Sequence, residues 1–162
     1  MKRTRIIGFV LALLWMIIIF LFSNQTAEVS DKISRNFVTA FIIEHYDGYA
    51  SMETDKQIEF ADTLDFAIRK TAHFMEYAIL GFFYSIILYG YELDKKYNWV
   101  KFIIASSILC LIYSGSDEIH QLFVAGRNGN IKDVLIDTSG GVFGTVIFVL
   151  LIKVMQRFKN EY

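Results

Sequence analysis

The sequence SDEIHQLFVAGRNGNIKDVLID (residues 116–137) lies between two long apolar runs and decides how the rest of the chain is interpreted. It contains a dense set of charged and amide side chains: Asp117, Glu118, His120, Gln121, Arg127, Lys132, Asp133 and Asp137. If the flanking runs cross a membrane, this set lies at one bilayer boundary. Because ionisable groups next to hydrocarbon are costly, such a cluster is by default a candidate functional site.

The composition of the 162-residue chain is typical of a membrane protein with polar loops. Hydrophobic residues make up 54% and aromatic residues 16%, and the mean hydropathy is +0.40. The length predicts one domain, residues 1–162. The single cysteine, Cys110, lies in an apolar run, and we expect it to be a small buried hydrophobe.

Four apolar segments are long enough to cross or nearly cross a bilayer: residues 6–22, 74–91, 99–113 and 134–154. Backbone groups in lipid must be satisfied within their own segment, so these segments are predicted to be helices. The predicted fold class is therefore an all-α membrane protein with four transmembrane helices. No small-residue cleavage site follows residue 22, so the first segment is interpreted as a retained span.

The outer loop between the first two spans, residues 23–70, contains two helical patterns. Apolar residues recur at helical spacing in its first half: Val29, Ile33, Phe37, Ala40 and Phe41. They predict an amphipathic helix on the extracytoplasmic surface. Thr54 and Gln57 match a capping box, which would open a helix that continues through Leu64 and Ile68 into the second span.

Charge predicts the orientation of the spans. One side carries nine Lys and Arg residues against three acids: Lys2, Arg3, Arg5, Lys95, Lys96, Lys101, Lys153, Arg157 and Lys159 against Glu92, Asp94 and Glu161. The other side is acidic overall. Basic residues close to span ends favour the cytoplasm, so a multi-pass protein of the cell membrane with both termini cytoplasmic is expected. The polar cluster would then face outward.

The start of the second span adds residues to the predicted site. Arg69, His73 and Glu76 share one helical face, and Lys70 lies on the same side as His73. His73 and Glu76 would lie inside the apolar slab, where a polar pair suggests function. Arg69 and Lys70 would bind an anion or extend toward water. The alternative is an internal ion pair beside a histidine whose hydrogen bonds are satisfied.

The third span ends with Asp117 and Gln121 on one face, and His120 is beside them. Arg127 follows in a glycine-flanked turn that can present backbone N–H groups and a guanidinium to an anion. The alternatives are a simple chain reversal and an ion pair between Arg127 and a nearby acid.

The fourth span carries Asp133, Asp137, Gly140 and Gly144 on one stripe. The two glycines permit close packing of another helix, which would press both aspartates against their neighbours.

Three chemistries fit these residues. His73, His120 and the nearby carboxylates could hold a divalent metal that activates water, although no HExxH or CxxC motif is present. A histidine oriented by a carboxylate could instead be a general base on a lipid-linked phosphate. The third possibility is a non-catalytic site for an anionic headgroup. The basic groupings are short and adjacent to spans, so nucleic-acid binding is not expected.

Several motifs resemble the signature of the VanZ-like family: Phe22-Ser23-x-Gln25, Arg69-Lys70-x-x-His73-Phe74-x-Glu76-Tyr77, Ser116-Asp117-Glu118-x-His120-Gln121, Gly126-Arg127 and Asp133-x-x-x-Asp137-x-x-Gly140. The resemblance covers about residues 5–152. It implies a small bacterial membrane protein from a family named for a member that gives resistance to teicoplanin, a glycopeptide antibiotic. It supplies a cellular context and no defined reaction.

The expected function is that of a cell-envelope protein that lowers glycopeptide susceptibility by altering or masking a surface or lipid-linked target. Its expected partners are membrane lipid and a lipid-linked cell-wall precursor or a glycopeptide. The alternatives are an intramembrane hydrolase or transferase on a lipid-linked phosphate, and a scaffold that packs through Gly140 and Gly144. The candidate catalytic residues are His73, Glu76, Asp117, Glu118, His120 and Asp137. The candidate ligand-binding residues are Arg69, Lys70, Gln121, Arg127 and Asp133.

Overall fold

The computed structural model describes residues 2–91 and 98–161, and these form five α-helices, one short 3-10 helix and no strand. The α-helices are α1 Lys2–Ser23, α2 Ala27–His45, α3 Thr54–Tyr89, α4 Trp99–Gln121 and α5 Ile131–Glu161, and the 3-10 helix is Tyr49–Ser51. Four of them, α1, α3, α4 and α5, are long and apolar enough to cross a membrane. The predicted all-α membrane fold is confirmed. Four residues of the charge prediction, Glu92, Asp94, Lys95 and Lys96, lie outside the described residues.

Helix α3 is at the centre of the bundle and packs against each of the other helices. Around its middle, Tyr77 and Leu80 are fully buried together with Ile19 of α1 and Cys110 of α4. The burial of Cys110 confirms that it is a small core residue. A second apolar cluster, built on Phe102 and Phe148, closes the end of the bundle away from residues 116–137.

Close backbone contact joins α3 to α5. A Cβ atom on Gly140 would collide with the carbonyl oxygen of Phe74, and one on Gly144 would collide with that of Ala78. The predicted glycine stripe therefore packs inside the chain itself. It is covered by α3, so neither glycine is free for the contact with another envelope protein that the scaffold hypothesis requires.

Helix α3 begins far outside the predicted second span. Its 36 residues correspond to about 54 Å, much more than a hydrocarbon thickness of about 30 Å. The prediction that a helix continues from residue 54 into the span is therefore correct, and residues 54–70 are helix and not loop. The predicted capping box does not form, because Glu53 occupies the N-cap position and makes no side-chain cap bond. The Gln57 side chain instead donates to the carbonyl oxygens of Tyr49 and Met52, at 2.9 and 3.2 Å.

Helix α2 is amphipathic, but a different stripe faces the protein. Val38 and Ile42 are its buried residues, whereas Ile33 and Phe37 of the predicted apolar stripe are more than half exposed. The helix is fastened to α3 by two ion pairs, Arg35–Asp62 and Arg69–Asp31. Ile33 and Phe37 of the predicted stripe therefore line the cavity described below and are also exposed at the surface of the protein.

Candidate functional site

A partly open cavity of about 370 Å³ lies where the ends of α1 and α4 meet α2 and α3. Its lining combines apolar and polar side chains. The apolar residues are Ile19, Phe22, Ile33, Phe37, Ile68 and Ala72. The polar residues are Ser23, Gln25, Ser30, Ser34, Arg69, His73, Glu76, Asp117, Gln121 and Arg127. Six of the predicted site residues thus line one cavity: Arg69, His73, Glu76, Asp117, Gln121 and Arg127.

The depth of the cavity follows from its position on α3. His73 is about 24 Å of helix from Tyr89, where α3 ends. A hydrocarbon slab about 30 Å thick that starts at Tyr89 would therefore reach slightly beyond His73. With that placement of the slab, the cavity would lie close to one edge of the apolar layer.

One hydrogen-bond network joins the end of α1 to the end of α4. Ser23 donates to Oδ2 of Asp117 at 2.7 Å, and Gln121 Nε2 donates to the Ser23 hydroxyl at 2.8 Å and to the same Asp117 oxygen at 3.2 Å. All three residues are buried. Ser23 was not among the predicted site residues, although it stands in one of the motifs that carry the family resemblance. The sequence signal that could have identified Ser23 is the Ser23-x-Gln25 pattern at the end of the first span.

Asp137 supports His73 from behind the cavity. Its side chain is 0% exposed, and its Oδ2 accepts a hydrogen bond from Ser114 at 2.8 Å. Its Oδ1 lies 3.4 Å from Nδ1 of His73, and neither atom has a hydrogen-bond partner in the described chain. Asp137 does not line the cavity. It is placed to orient the histidine ring that does.

Glu118 and His120 lie outside the cavity. Glu118 is buried, and its Oε2 accepts a hydrogen bond from the backbone N–H of Asn130 at 2.6 Å, which fixes the connection between α4 and α5. The His120 ring packs against Phe20 at a centroid distance of 4.8 Å. The structure therefore gives Glu118 a structural contact, and His120 does not line the cavity that His73 lines. Their sequence neighbour Asp117 does line it.

The basic residues fall into two groups. Lys70 lies 2.5 Å from Oδ1 of Asp133, so these two predicted ligand-binding residues bind each other. Arg69 is paired with Asp31 and, at 2.8 Å, with Oδ2 of Asp65.

Arg127 follows Gly126, whose φ of 74° is in the left-handed region that glycine tolerates. The Nε atom of Arg127 donates to the carbonyl oxygen of Gln25 at 3.1 Å. Within residues 2–91 and 98–161, no carboxylate forms an ion pair with it.

The arrangement favours ligand binding or proton transfer over a ready-made metal centre. Across the two described ranges, no three His, Cys, Asp or Glu side chains are grouped so that they could hold a metal ion. The two histidines of the metal hypothesis, His73 and His120, do not share a site. The cavity instead offers two guanidinium groups, an imidazole and two carboxylates among apolar side chains.

Comparison with known proteins identifies the family. No curated protein and no solved structure matches the chain. The profile of the VanZ/LLP1 family matches residues 8–152, a range that includes α2, α3, α4, most of α1 and α5, and every residue lining the cavity. The chain therefore belongs to the VanZ/LLP1 family of membrane proteins.

Proposed function

We propose that this protein is a cell-envelope membrane protein that binds the head of a lipid-linked molecule in the cavity, and that this binding lowers susceptibility to glycopeptide antibiotics such as teicoplanin. The observation that carries the proposal is the cavity whose lining combines charged and apolar side chains. A molecule with a polar head and a hydrocarbon tail can contact both kinds of residue at once.

The size of the cavity agrees with this class of ligand. At about 370 Å³ it falls within the range of small-molecule sites, about 300–1,000 Å³. Phe22, Ile33 and Phe37 are exposed apolar side chains of the lining, so they offer a hydrocarbon tail a surface to pack against. His73, Glu76 and the other polar groups of the lining would contact the head.

Charge supports an outward-facing cavity. Arg3 and Arg5 begin α1, and Lys153, Arg157 and Lys159 are on the last turns of α5, so these basic residues lie at the end of the bundle opposite the cavity. By the positive-inside rule that end would face the cytoplasm, together with both termini, in the cell membrane. The cavity would then open at the outer leaflet, where lipid-linked cell-wall precursors and glycopeptides meet.

The test is to fill the cavity and measure antibiotic susceptibility. Ala72 lines the cavity, and Ala67, on the same helix, is exposed and does not. The chain would be produced in a teicoplanin-susceptible bacterium, and the inhibitory concentration and the surface binding of labelled teicoplanin would be measured. We expect the wild type and Ala67→Phe to raise the inhibitory concentration and change labelling, and Ala72→Phe at equal membrane abundance to do neither. Equal behaviour of the two variants, or no effect of the wild type, would refute the proposal.

A second candidate function is an intramembrane hydrolase or transferase that acts on a lipid-linked phosphate. The observation that favours it is the buried Asp137 carboxylate beside Nδ1 of His73. If Asp137 holds the ring, Nε2 is left to take a proton from water or a hydroxyl that attacks phosphorus. Arg127 would stabilise the negative charge that develops on the phosphate oxygens.

The two histidines provide a matched test of this second function. Purified protein would be assayed for release of phosphate or exchange of the head group from lipid phosphates. Turnover that is lost in His73→Gln and retained in His120→Gln would support catalysis at the cavity. Absence of turnover in the wild type, or equal turnover in the two variants, would exclude it and leave the binding proposal intact.

A further inference from the structure

Two side chains of opposite charge line the cavity, those of Glu76 and Arg127. Across the described ranges, the Glu76 carboxylate takes part in no side-chain hydrogen bond and no ion pair. The Arg127 guanidinium uses only Nε, which leaves its two terminal NH₂ groups free for a ligand. Arg69, on the same wall, is already held by two aspartates. Glu76 and Arg127 thus keep most of their hydrogen-bonding capacity for a ligand.

Asp117 adds a second acceptor beside Glu76. It lines the cavity, and both of its hydrogen bonds, from Ser23 and Gln121, are accepted by Oδ2. Its Oδ1 accepts none from the described residues. Two carboxylates with free acceptor capacity suit a primary ammonium, which has three N–H donors.

The cation and the second carboxylate are held by the same short stretch of chain. Arg127 is bound to the carbonyl oxygen of Gln25, and Asp117 is bound to the hydroxyl of Ser23. Only Asn24 lies between those two anchor residues, so their Cα atoms are at most about 7 Å apart. The end of α1 and the residues just after it therefore position both groups.

We propose that the cavity binds a zwitterionic aminophospholipid head, with the phosphodiester at Arg127 and the primary ammonium at Glu76 and Asp117. This inference rests on the proposed function, because it names the ligand class of the same cavity. Arg127 then pairs with the phosphodiester, and Glu76 and Asp117 pair with the ammonium. The apolar side chains around them strengthen these electrostatic attractions. The acyl chains would lie along Phe22, Ile33 and Phe37.

Other common lipid heads match the site less well. A head with phosphate and no ammonium leaves two carboxylates facing its negative charge. A choline head carries a positive charge but has no N–H to donate to Glu76 or Asp117. The expected order is therefore phosphatidylethanolamine first, with phosphatidylcholine and phosphatidylglycerol each at least about tenfold weaker, the effect of losing one charge-assisted hydrogen bond.

The test is calorimetric titration of the full chain in detergent with short-chain phosphatidylethanolamine, phosphatidylcholine and phosphatidylglycerol, and with free phosphoethanolamine. Glu76→Gln should reduce the preference for phosphatidylethanolamine over phosphatidylglycerol by about tenfold, and Glu76→Lys should reverse it. Arg127→Gln should weaken all three lipids. The controls Glu59→Gln and Arg3→Gln change exposed residues outside the cavity and should leave every affinity unchanged.

The outcomes separate this inference from the function on which it rests. If the three lipids bind equally and Ala72→Phe abolishes binding, the cavity binds lipid and the head assignment is overturned. If no lipid binding is sensitive to Ala72→Phe, the proposed function fails as well. If free phosphoethanolamine binds as tightly as the lipid, the assignment of the head group is supported, but the assignment of the ligand as a lipid is overturned. Helical circular dichroism would verify the fold of each variant.

Discussion

Replacing Gly144 by alanine should destabilise the bundle, whereas the same change at Gly115 should not. The added Cβ at position 144 would overlap the carbonyl oxygen of Ala78 and lie 2.6 Å from its carbonyl carbon. Carbon atoms in contact are about 3.5–4.0 Å apart, so α3 and α5 must separate by about 1 Å. Gly115, on α4, has no atom within 4 Å of the position of its added Cβ.

The magnitude follows from two opposing effects. Overpacking of this kind costs about 1–3 kcal/mol, and alanine in place of glycine in a helix returns about 0.5–1 kcal/mol. With mid-range values for both effects, Gly144→Ala should lower the free energy of unfolding by about 1 kcal/mol, and by at most about 2.5 kcal/mol. Gly115→Ala should leave it unchanged or raise it by up to about 1 kcal/mol.

The assay is reversible unfolding of both variants in mixed micelles, followed by helical circular dichroism under identical conditions. Gly144→Ala at or above the stability of the wild type would refute the close approach of α3 and α5. A loss of similar size in Gly115→Ala would show that the sensitivity belongs to glycine in general and not to this contact.

Three further substitutions test the polar contacts by the same unfolding measurement. Ser114→Ala removes the hydroxyl donor from the fully buried Asp137 and should cost about 1–3 kcal/mol; a cost near zero would mean that Asp137 is satisfied in another way. Lys70→Met leaves the mostly buried Asp133 without its cation and should cost about 1–2 kcal/mol. Arg35→Gln breaks an ion pair whose side chains are more than half exposed, so its effect should stay within about 0.5 kcal/mol, and a loss as large as that of Lys70→Met would contradict this ranking.

The membrane-crossing helices could be predicted from the sequence because hydrocarbon imposes simple demands. A segment must be apolar, long enough and internally hydrogen-bonded, and each of these properties is local. The predicted boundaries are short where polar residues continue a helix beyond the apolar layer. Helix α4 runs to Gln121 and not to residue 113, and α5 begins at Ile131 and not at residue 134. Hydropathy marks the lipid-exposed part of a helix and not its ends.

The cavity could be predicted only in part, because helical spacing defines a face but not its neighbour. The spacing grouped His73 with Glu76, and both line the cavity. It could not show that Lys70 would be paired with Asp133 across the bundle, which removes both from the cavity. The rotation of α4 about its own axis decides which polar residues face inward, and it depends on packing between helices that are distant in sequence.

Helix α2 shows a different limit. Its apolar residues were predicted correctly as an amphipathic pattern, but a pattern does not name the surface that it meets. Val38 and Ile42 face the protein, whereas the stripe containing Ile33 and Phe37 contributes to the cavity wall. When a helix has apolar residues on more than one side, its apolar pattern does not define which side faces the protein. Here the ion pairs Arg35–Asp62 and Arg69–Asp31 fix that side.

His73 lies about 24 Å along α3 from Tyr89, the residue at which the helix ends. This depth determines from where a lipid ligand reaches the cavity. A lipid that binds at this height need not leave the leaflet, so its search is two-dimensional and its tail stays solvated by neighbouring tails. Occupancy is then governed by the mole fraction of that lipid in the leaflet and not by its vanishing concentration in water. Because a major lipid is always abundant there, weak intrinsic affinity is sufficient to keep the cavity filled. A rarer competitor would have to displace a resident molecule before it could bind.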